Sequence, residues 1–492
     1  MARAELAVVI LAAGKGTRLR SQQAKVLHRA GGRALIEHVV RAALPLDAPI
    51  FVVVGHQADQ VAALVAPLGA QTILQEPQRG TGHSLQVAQT ALGEFRRALV
   101  APGDAPLVRA ETLLALAAAH RAARAAATVL SASLADPTGY GRIVRRQDGT
   151  VAAIVEESAA GEPERAIREI NSGMYCFELA KLWPCLGELQ QENKHHELYL
   201  TDAVAILNRR RERVAASLAR DPMEILGCNT RKELAEADRL LRRRKIDALM
   251  EAGVTVYLPE TVLVDPDVEV GADTVIEPCV ELLGSTRIGQ ACTVSTGSVI
   301  ADSVLEDRAS VRPHSVVMAS RLGRGAVVGP FAHLRDGADL GPGARVGNYV
   351  EVKKSRLAAG VKALHLSYLG DASIGRDSNI GAGTITCNYD GIRKNPTTIG
   401  ERVFVGSGSE LIAPIEIGDG AYIAAGSTIT ESVPADAMAF ARARQETKPG
   451  RARLRREQIQ AASLPPAPKA APSPGGDGAK PLARKARAKR RA

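Results

Sequence analysis

The stretch LAAGKGTR, residues Leu11–Arg18, is the part of the N-terminal sequence best suited to hold a phosphate group. It directly follows the apolar run Leu6–Ile10, and a glycine-rich turn after a first strand offers backbone N–H groups to phosphate oxygens. A dinucleotide fingerprint would need a glycine where Leu19 stands, and the glycine spacing is too short for a Walker loop. We therefore predict a phosphate-binding loop of a different class.

Charged side chains near this loop favour nucleotidyl transfer. Lys15 and Arg18 supply positive charge, and Asp104 ends the strand-like segment ALVAPGD. Such a transfer needs positive charge and N–H donors around the phosphates, together with a divalent ion that neutralises charge in the displacement. A carboxylate at a strand end suits that ion, so Asp104 is a candidate magnesium ligand.

The elements that would position these side chains belong to an α/β domain. Up to about residue 230, short apolar strands such as IFVVVG alternate with segments of helical spacing such as ALIEHVVRAAL. This alternation predicts a Rossmann-like, mostly parallel sheet covered by helices on both faces. Ligands in such sheets lie beyond the carboxyl ends of the strands, where LAAGKGTR falls.

A charged amphipathic helix is predicted over residues 230–250, after the cap-type side chains of Asn229 and Thr230. We interpret it as a connector between two domains. The predicted organisation is an α/β domain at 1–229, a helical linker at 230–250, a second domain at 251–450 and a basic disordered tail at 451–492.

An apolar residue recurs every six positions after Gly253, which fits neither a helix nor a flat strand. The period predicts a parallel β-helix in which each coil stacks its aliphatic residue on the next. Residues 351–394 interrupt the repeat, so we expect loops that project from the coil there, where function tends to lie. The repeat positions are Val264, Val270, Ile276, Leu282, Ile288, Val294, Ile300, Leu305, Val311, Val317, Leu322, Val328, Leu334, Leu340, Val346, Val352, Ile374, Ile380, Ile399, Val405, Leu411, Ile417, Ile423 and Ile429.

Composition limits the partners and the compartment. The 492 residues carry a net charge of +10, and residues 451–492 alone hold 12 Lys and Arg against 2 Asp and Glu. The rest of the chain is therefore neutral, which argues against specific nucleic-acid binding outside the tail. No segment is long and apolar enough to span a membrane, and the six cysteines form no C-x-x-C pair, which favours reduced thiols in the cytoplasm.

An α/β domain that opens with L-x-x-G-x-G-T-R and precedes a hexapeptide β-helix resembles one bacterial family. Its members are both N-acetylglucosamine-1-phosphate uridylyltransferases and glucosamine-1-phosphate N-acetyltransferases. The resemblance covers nearly everything before the tail. It implies a left-handed β-helix, a homotrimer, and two reactions that lead to cell-wall and lipid A precursors: acetyl-CoA acetylates glucosamine-1-phosphate, and UTP then yields UDP-N-acetylglucosamine and pyrophosphate, with Mg²⁺.

The resemblance also implies residue roles in the uridylyl site. Lys25 would contact phosphate, Gln75 and the Gly80–Thr81 pair would contact uracil, and Gly141, Glu156 and Asn171 would hold the acetylamino sugar. Asn229 would join Asp104 at the metal. Pro102 departs from the tyrosine or serine common in the family. The implied uridylyl-site residues are Leu11, Ala12, Ala13, Gly14, Lys25, Gln75, Gly80, Thr81, Pro102, Gly103, Asp104, Gly141, Glu156, Asn171 and Asn229.

In the second half, the resemblance makes His365 the general base that takes a proton from the sugar amine as it attacks the thioester. Lys394 is a further cation for the phosphates of the cofactor. The implied sugar-phosphate ligands are Arg335, Lys353, Tyr368 and Asn379, and the implied acetyl-CoA contacts are Ala382, Asn388, Tyr389, Ser407, Ala425 and Arg442.

Three other interpretations compete with this one. A monofunctional sugar-1-phosphate nucleotidyltransferase with a regulatory β-helix would have no use for His365 and Asn388. A non-catalytic scaffold of this architecture would not need Lys25, Asp104 and Asn229. A nucleic-acid binder would rest on the tail alone.

Overall fold

The computed structural model describes residues 4–191 and 196–463. A first compact unit runs to Ala441, and a second begins at Arg442. The predicted domain at 1–229, the helix after it and residues 251–441 of the second predicted domain lie in the first unit, and the division at residues 229 and 250 stays a prediction. Among the described residues, no helix is long and apolar enough to cross a bilayer.

The N-terminal part of the first unit is built on one mixed sheet. Its strand order is β11-β7-β10-β6-β1-β4-β5, with β8 and β9 attached beside β10. All main-path pairs are parallel except those that β10 makes with β6 and β7. The strands of this sheet are β1 (Ala4–Ala12), β4 (Ile50–Val54), β5 (Gln71–Leu74), β6 (Phe95–Pro102), β7 (Ala127–Ser133), β8 (Arg142–Arg145), β9 (Val151–Val155), β10 (Glu169–Glu178) and β11 (Val214–Leu218). Two further strands, β2 (Arg29–Ala30) and β3 (Arg33–Ala34), form a separate antiparallel pair.

Helices cover both faces of this sheet, as predicted. Successive residues of β1 enter two different cores: Val8 packs with Val39 and Leu113, whereas Val9 packs with Leu85 and Leu182. The α-helices of the chain are α1 (Leu35–Ala43), α2 (Ala58–Val65), α3 (Thr81–Ala88), α4 (Ala110–Ala123), α5 (Glu162–Arg165), α6 (Leu179–Leu186), α7 (Asp202–Arg209), α8 (Arg231–Glu251) and α9 (Arg451–Ser463). Short 3-10 turns lie at Thr17–Leu19, Lys25–Leu27, Leu44–Leu46, Ala66–Leu68, Glu157–Ala159, Pro222–Ile225 and Pro259–Thr261.

Helix α8 does more than connect. Thr230 caps its first turn by accepting from the Glu233 N–H, and the Glu233 carboxylate accepts from the Thr230 N–H in return. Ala237 is buried against the sheet domain, whereas Ile246 and Leu249 are buried in the core of the following β-helix. The helix therefore holds the two parts of the first unit against each other.

Residues 255–439 form a parallel β-helix with three faces of 11, 10 and 9 strands. The first face contains Thr255–Val256, Val275–Ile276, Thr293–Val294, Ser310–Val311, Val327–Val328, Arg345–Asn348, Lys362–His365, Asn379–Ile380, Phe404–Val405, Tyr422–Ile423 and Met438–Ala439. The second contains Leu263–Val264, Glu281–Leu283, Val299–Ala301, Val316–Met318, His333–Arg335, Glu351–Lys353, Tyr368–Gly370, Ile385–Cys387, Glu410–Ile412 and Thr428–Ile429. The third contains Glu269–Val270, Arg287–Ile288, Val304–Leu305, Arg321–Leu322, Asp339–Leu340, Arg356–Leu357, Ala372–Ile374, Thr397–Ile399 and Ile415–Ile417.

Coil length explains the slip in the six-residue repeat. Val275 pairs with Thr293 eighteen residues later, so each face takes six residues. Ile288 pairs with Leu305 only seventeen residues later, because that coil has one residue fewer. Apart from the half-buried Val270, the predicted repeat positions are buried in the interior stack.

The expectation of several projecting loops within residues 351–394 is wrong for most of that segment. Leu357, Ala363 and Leu369 are fully buried and continue the stack, with Thr386 in the next coil. Only residues 388–396 leave the coil, since Ile374 pairs with Ile399 twenty-five residues later. Two coils of 17 residues, Leu340 to Leu357 and Leu357 to Ile374, shift the stack out of the six-residue frame, and alanine and threonine occupy two of the remaining stack positions.

The second unit begins with an exposed segment, followed by α9, whose residues are all exposed. The expectation of a tail without regular structure from residue 451 therefore does not hold for Arg451–Ser463. The rest of that predicted tail, 464–492, lies outside the described residues.

Candidate active sites

A cavity of about 460 Å³ opens at the carboxyl ends of β1, β5 and β6. The strand-to-loop transitions of the parallel sheet converge there, as the sequence analysis predicted. The implied residues that line the cavity are Leu11, Ala12, Ala13, Gly14, Lys25, Gln75, Gly80, Thr81, Pro102, Asp104, Glu156 and Asn171. Gly103, Gly141 and Asn229 are not among its lining residues.

One end of the cavity is a cluster of cation and oxygen groups. The Lys25 ammonium forms an ion pair with the Asp104 carboxylate and donates to Asn229 Oδ1 at 2.6 Å. Arg18 Nη2 also donates to Asn229 Oδ1, at 2.7 Å, whereas Lys15 is exposed in the loop. Gly16 has φ +68°, and a Cβ there would lie 2.4 Å from the Lys25 Cβ, so glycine lets the loop close over Lys25.

The oxygen atoms of this cluster suit a magnesium ion. Asp104 and Asn229 both reach the Lys25 ammonium, so a carboxylate and an amide oxygen converge on one position already occupied by a cation. Oxygen ligands of this kind are those that Mg²⁺ prefers. No group of three or more His, Cys, Asp or Glu side chains that could hold a metal occurs among the described residues. The Asp104 and Asn229 oxygens fit a magnesium ion whose remaining ligands would be nucleotide phosphates.

The opposite wall holds Gln75 in a fixed orientation. Its amide is 2 % exposed, donates to the Gly80 carbonyl at 3.0 Å and accepts from Ser84 Oγ at 3.0 Å. Gly80 has φ +98°, and a Cβ there would meet the Leu198 carbonyl oxygen at 2.7 Å. Thr81 Oγ1 accepts from the Leu200 N–H at 3.0 Å. Fixed amide and backbone groups of this kind can recognise the edge of a base.

The third wall carries the residues implied for the sugar. The Asn171 N–H donates to the Gly141 carbonyl at 2.8 Å, and the Asn171 amide donates to the Tyr175 hydroxyl at 2.8 Å. Burial raises the pKa of Glu156, and the nearby Asp202 carboxylate adds to this effect. A hydrogen bond from Thr201 Oγ1, 3.1 Å from Glu156 Oε1, opposes it.

Pro102 contributes an apolar ring to the cavity lining. Its backbone lies opposite Leu11 in the sheet, and a Cβ on Gly173 would lie 3.8 Å from its Cγ. The next residue, Gly103, donates its N–H to the Leu11 carbonyl at 2.9 Å, which ties the two strand ends together.

Sequence reasoning missed one whole side of the cavity. The segment before α7 is held to the Gly80 loop by backbone bonds from Gly82 N–H to Leu198 O and from Leu198 N–H to Arg79 O, each 2.7 Å. More than 110 residues separate the partners, so no local pattern could have signalled the contact. The additional lining residues are Val26, Gln78, Ser84, Gly173, Tyr175, Glu197, Tyr199, Leu200 and Thr201.

The second candidate site is on the surface of the β-helix, centred on His365. His365 Nδ1 lies 2.8 Å from Asn348 Oδ1, one coil earlier on the same face. Because an amide oxygen only accepts hydrogen bonds, Nδ1 carries the ring hydrogen and Nε2 is the proton acceptor of the neutral imidazole. The sequence analysis did not include Asn348.

Three implied acetyl-CoA contacts continue the line of Asn348 and His365 along one corner of the helix. The Gly408 N–H donates to the Ala382 carbonyl at 2.7 Å, and the Gly426 N–H donates to the Ser407 carbonyl at 2.8 Å. Ala425 occupies the equivalent place in the next coil. Glycines pack between these coils: a Cβ on Gly381 would lie 2.5 Å from the Ser407 nitrogen.

The implied phosphate ligands of this site lie on the second face. Arg335 and Lys353 are paired in neighbouring coils, and Arg335 Nε donates to Glu351 Oε1 at 2.8 Å. Asn388 is buried, and its amide donates to Asp371 Oδ2 at 2.6 Å and to the Tyr368 hydroxyl at 3.5 Å.

The cations of this face come close enough to perturb each other. The Lys394 ammonium beside Lys353 lowers the pKa of Lys353. Lys394 belongs to the loop 388–396, the part of the chain that leaves the coil. Two like charges held together in this way suit a polyanion such as a phosphate.

The remaining implied contacts are dispersed. Asn379 lies on the first face, where it pairs with Lys362 at the start of the strand that ends at His365. Tyr389 is exposed in the 388–396 loop, where its hydroxyl donates to the Gly391 carbonyl at 2.6 Å. Arg442 is exposed and begins the second unit. Within the first unit, the structure thus brings His365 together with part of the implied ligands.

Comparison with known proteins finds a different family match in each half of the chain. Residues 8–199 match the MobA-like NTP transferase domain, and residues 396–431 match the bacterial transferase hexapeptide of six repeats. A Bifunctional protein GlmU from Koribacter versatilis is 48% identical over 92% of this chain and 98% of its own length. Another, from Anaeromyxobacter sp. strain Fw109-5, is 51% identical over 96% of this chain and 98% of its own.

The chain belongs to the bifunctional GlmU family. It is a transferase with two activities, uridylyl transfer and acetyl transfer to glucosamine-1-phosphate, and the hexapeptide domain carries the second. Its fold is a Rossmann-like nucleotidyltransferase domain followed by a left-handed parallel β-helix. Nucleotidyl transfer in this family uses a divalent metal.

Proposed function

We propose that the cavity at the sheet edge and the His365 surface act in sequence on one sugar phosphate. The His365 surface acetylates glucosamine-1-phosphate, and the cavity then joins the product to the uridylyl group of UTP. The observation that carries this proposal is the pair of separate polar sites, one on each domain, each built from the residues that its reaction requires.

In the cavity, the phosphate oxygen of N-acetylglucosamine-1-phosphate attacks the α-phosphorus of UTP, and the bond to the leaving pyrophosphate breaks. Lys25 and Arg18 place positive charge where negative charge develops on the phosphates, and the Gly14–Gly16 backbone offers N–H donors. Gln75 and Gly80 orient the uracil at the opposite wall. Preorganised donors of this kind need no reorganisation during the reaction.

Asp104 and Asn229 would hold Mg²⁺ at the phosphate end of the cavity. When bound, the ion neutralises negative charge on the reacting phosphates. Lys25, which now contacts both oxygens, would then turn to the phosphate instead.

On the β-helix, His365 removes a proton from the attacking amine. The sugar nitrogen bonds to the acetyl carbonyl carbon, the carbon–sulfur bond breaks, and the coenzyme A sulfur receives the proton that His365 removed, so coenzyme A leaves as its thiol. Asn348 positions His365 by accepting its Nδ1 hydrogen, so that Nε2 receives the proton from the amine. Arg335, Lys353 and Tyr368 hold the sugar phosphate.

A homotrimer would complete the acetyl site. Phe331 and Tyr349 stack at 5.4 Å beside the Asn348–His365 corner, and with Leu366 they expose 47%, 58% and 59% of their surfaces. Such an apolar ridge next to a dispersed site suits a second copy of the chain.

Six free thiols support a reducing, cytoplasmic location.

One assay tests the proposal as a whole. Purified protein is incubated with glucosamine-1-phosphate, acetyl-CoA, UTP and Mg²⁺, and the products are resolved over time. N-acetylglucosamine-1-phosphate should appear before UDP-N-acetylglucosamine and pyrophosphate. UDP-sugar formation without any acetylation would instead support a monofunctional nucleotidyltransferase with a regulatory β-helix.

A further inference from the structure

The largest fully buried side chain of the protein is a charged one, Arg142 at the start of β8, which is 2 % exposed. A buried guanidinium is costly unless it is paired. Arg142 Nη2 lies 2.8 Å from Glu157 Oε2, and Nη1 donates to the Tyr140 carbonyl. Its Nε has no hydrogen-bond partner among the described residues.

The guanidinium lies directly behind the sugar wall of the cavity. Each residue implied to hold the sugar is the chain neighbour of Arg142 or of a residue that Arg142 faces: Gly141 precedes Arg142, and Glu156 precedes its ion-pair partner Glu157. In the third case, Arg142 pairs across the sheet with Ile170, which precedes Asn171. Arg142 therefore joins three separate segments: its side chain holds Glu157 and the Tyr140 carbonyl, and its backbone pairs with β10 at Ile170.

The ion pair also fixes the loop that leads into Gly141. Glu157 Oε2 accepts from the Gly139 N–H at 3.2 Å, while Arg142 holds the next carbonyl, that of Tyr140. The Arg142 guanidinium lowers the pKa of Glu157, which keeps the carboxylate charged. A Cβ on Gly141 would lie 3.4 Å from Glu156 Oε2, so a small displacement of this loop would change the sugar wall.

We propose that Arg142 and Glu157 form a positioning pair that sets the affinity of the uridylyl site for the sugar phosphate. Neither side chain lines the cavity, and both act through Gly141, Glu156 and Asn171. The proposal rests on the proposed function, because it assumes that these three residues bind the sugar. Phosphate and uracil contacts lie on other walls and do not depend on the pair.

The test measures KM for each substrate in full-length Arg142→Met and Glu157→Gln variants. Misplacing a binding group by about 1 Å can cost up to roughly 10²-fold in rate. We expect KM for N-acetylglucosamine-1-phosphate to rise about 10-fold or more in Arg142→Met, with KM for UTP unchanged. Glu157→Gln should shift KM for the sugar in the same direction, by less. The double variant should be no worse than Arg142→Met, because the two residues act as a unit.

Two controls separate positioning from general stability. Arg145 lies on the same strand and pairs with Glu169 at 2.6 Å, but it contacts neither the 139–141 loop nor Glu157, so Arg145→Met should leave both KM values unchanged. Arg142→Lys keeps one charge without the two-pronged geometry and should restore part of the affinity. Melting curves report whether each variant is folded, because acetyl transfer takes place on the other domain.

The outcomes are distinguishable. Unchanged KM for the sugar in folded Arg142→Met, or equal rises for sugar and UTP, would overturn the proposal. If Arg142→Met does not fold, Glu157→Gln decides, because Glu157 reaches solvent with 34% of its side chain exposed. Failure of the wild-type protein to use N-acetylglucosamine-1-phosphate would contradict the proposed function instead.

Discussion

Lys25 Nζ and Asn229 Oδ1 lie 2.6 Å apart although 204 residues separate them in the chain. The Asp104 carboxylate meets the same ammonium. The phosphate end of the cavity therefore depends on three segments: the turn after β1, the end of β6 and the residue before the cap of α8. The lysine occupies the oxygen pair that we propose for the divalent ion, so the proposal requires that ion binding displaces Lys25 from these oxygens.

Replacement of Asp104 by alanine should abolish uridylyl transfer selectively. Loss of one charge-stabilising group in a preorganised site costs roughly 10²–10³-fold in rate. The His365 site shares no residue with this cluster, so acetylation should continue. Pyrophosphate release and coenzyme A thiol release measure the two reactions separately. Asp148→Asn, in a surface turn, serves as a control, and near wild-type UDP-sugar formation in Asp104→Ala would refute the metal assignment.

Replacement of His365 by alanine should lower acetyl transfer by about 10²–10⁴-fold, the usual contribution of a positioned base. Uridylyl transfer from supplied N-acetylglucosamine-1-phosphate should be unaffected. A packing histidine would instead lower thermal stability and both activities together, so melting curves accompany the assays. A stable variant that still acetylates would show that His365 is not the base.

Asn348→Ala tests the orientation of the imidazole. Without the amide oxygen at 2.8 Å from Nδ1, nothing in the preceding coil selects the tautomer that leaves Nε2 as acceptor. We expect acetylation to fall by less than in His365→Ala, with a changed pH profile and unchanged uridylyl transfer. Equal loss in His365→Ala and in the double variant with Asn348→Ala would be consistent with one functional unit. A wild-type rate and pH profile would contradict the orienting role.

The sequence predicted the elements better than the contacts between them. Six-residue spacing marked the β-helix because every coil repeats the same stack position, from Val264 to Ile429. The same rule failed at Ala363 and Thr386, which fill the stack without being large and apolar. A pattern of residue types finds a repeat only where the repeat uses the expected types.

For the site residues too, positions within elements could be predicted better than contacts between elements. Asp104 could be placed from its position at a strand end, since parallel strands of one sheet share a carboxyl edge. Thr201 and Asn348 could not be placed, because their roles arise from hydrogen bonds to Glu156 and His365 across a long loop and a coil. The burial of Arg142 could not be predicted either, because the residue type alone does not distinguish a buried arginine from an exposed one.

Deletion of the chain after Gly450 should leave both activities within about twofold of the full-length protein, as expected for changes away from packed or paired groups. Every implied site residue precedes the cut, and α9 buries no residue. Without residues 451–492 the chain is also neutral, which removes only its nonspecific attraction to polyanions. Loss of either activity in a truncated protein whose sedimentation is unchanged would show that the tail takes part in the chemistry.

Replacement of Glu156 by glutamine should stabilise the protein at neutral pH and weaken sugar binding. Burial raises the pKa of Glu156 above the ordinary carboxyl value, so the folded protein retains this proton at pH values where the unfolded chain has lost it. The contribution of Glu156 to the free energy of unfolding therefore falls as pH rises from the ordinary carboxyl pKa to the raised pKa. Above the raised pKa the loss of stability is complete. Glutamine cannot ionise, and its oxygen can still accept from Thr201. The melting temperature of Glu156→Gln should exceed that of the wild type at pH 8, and the difference should vanish near pH 4. Glu94→Gln, on the surface, should show no such trend. A melting difference of the same size at both pH values would mean that charge burial at Glu156 is not its cause.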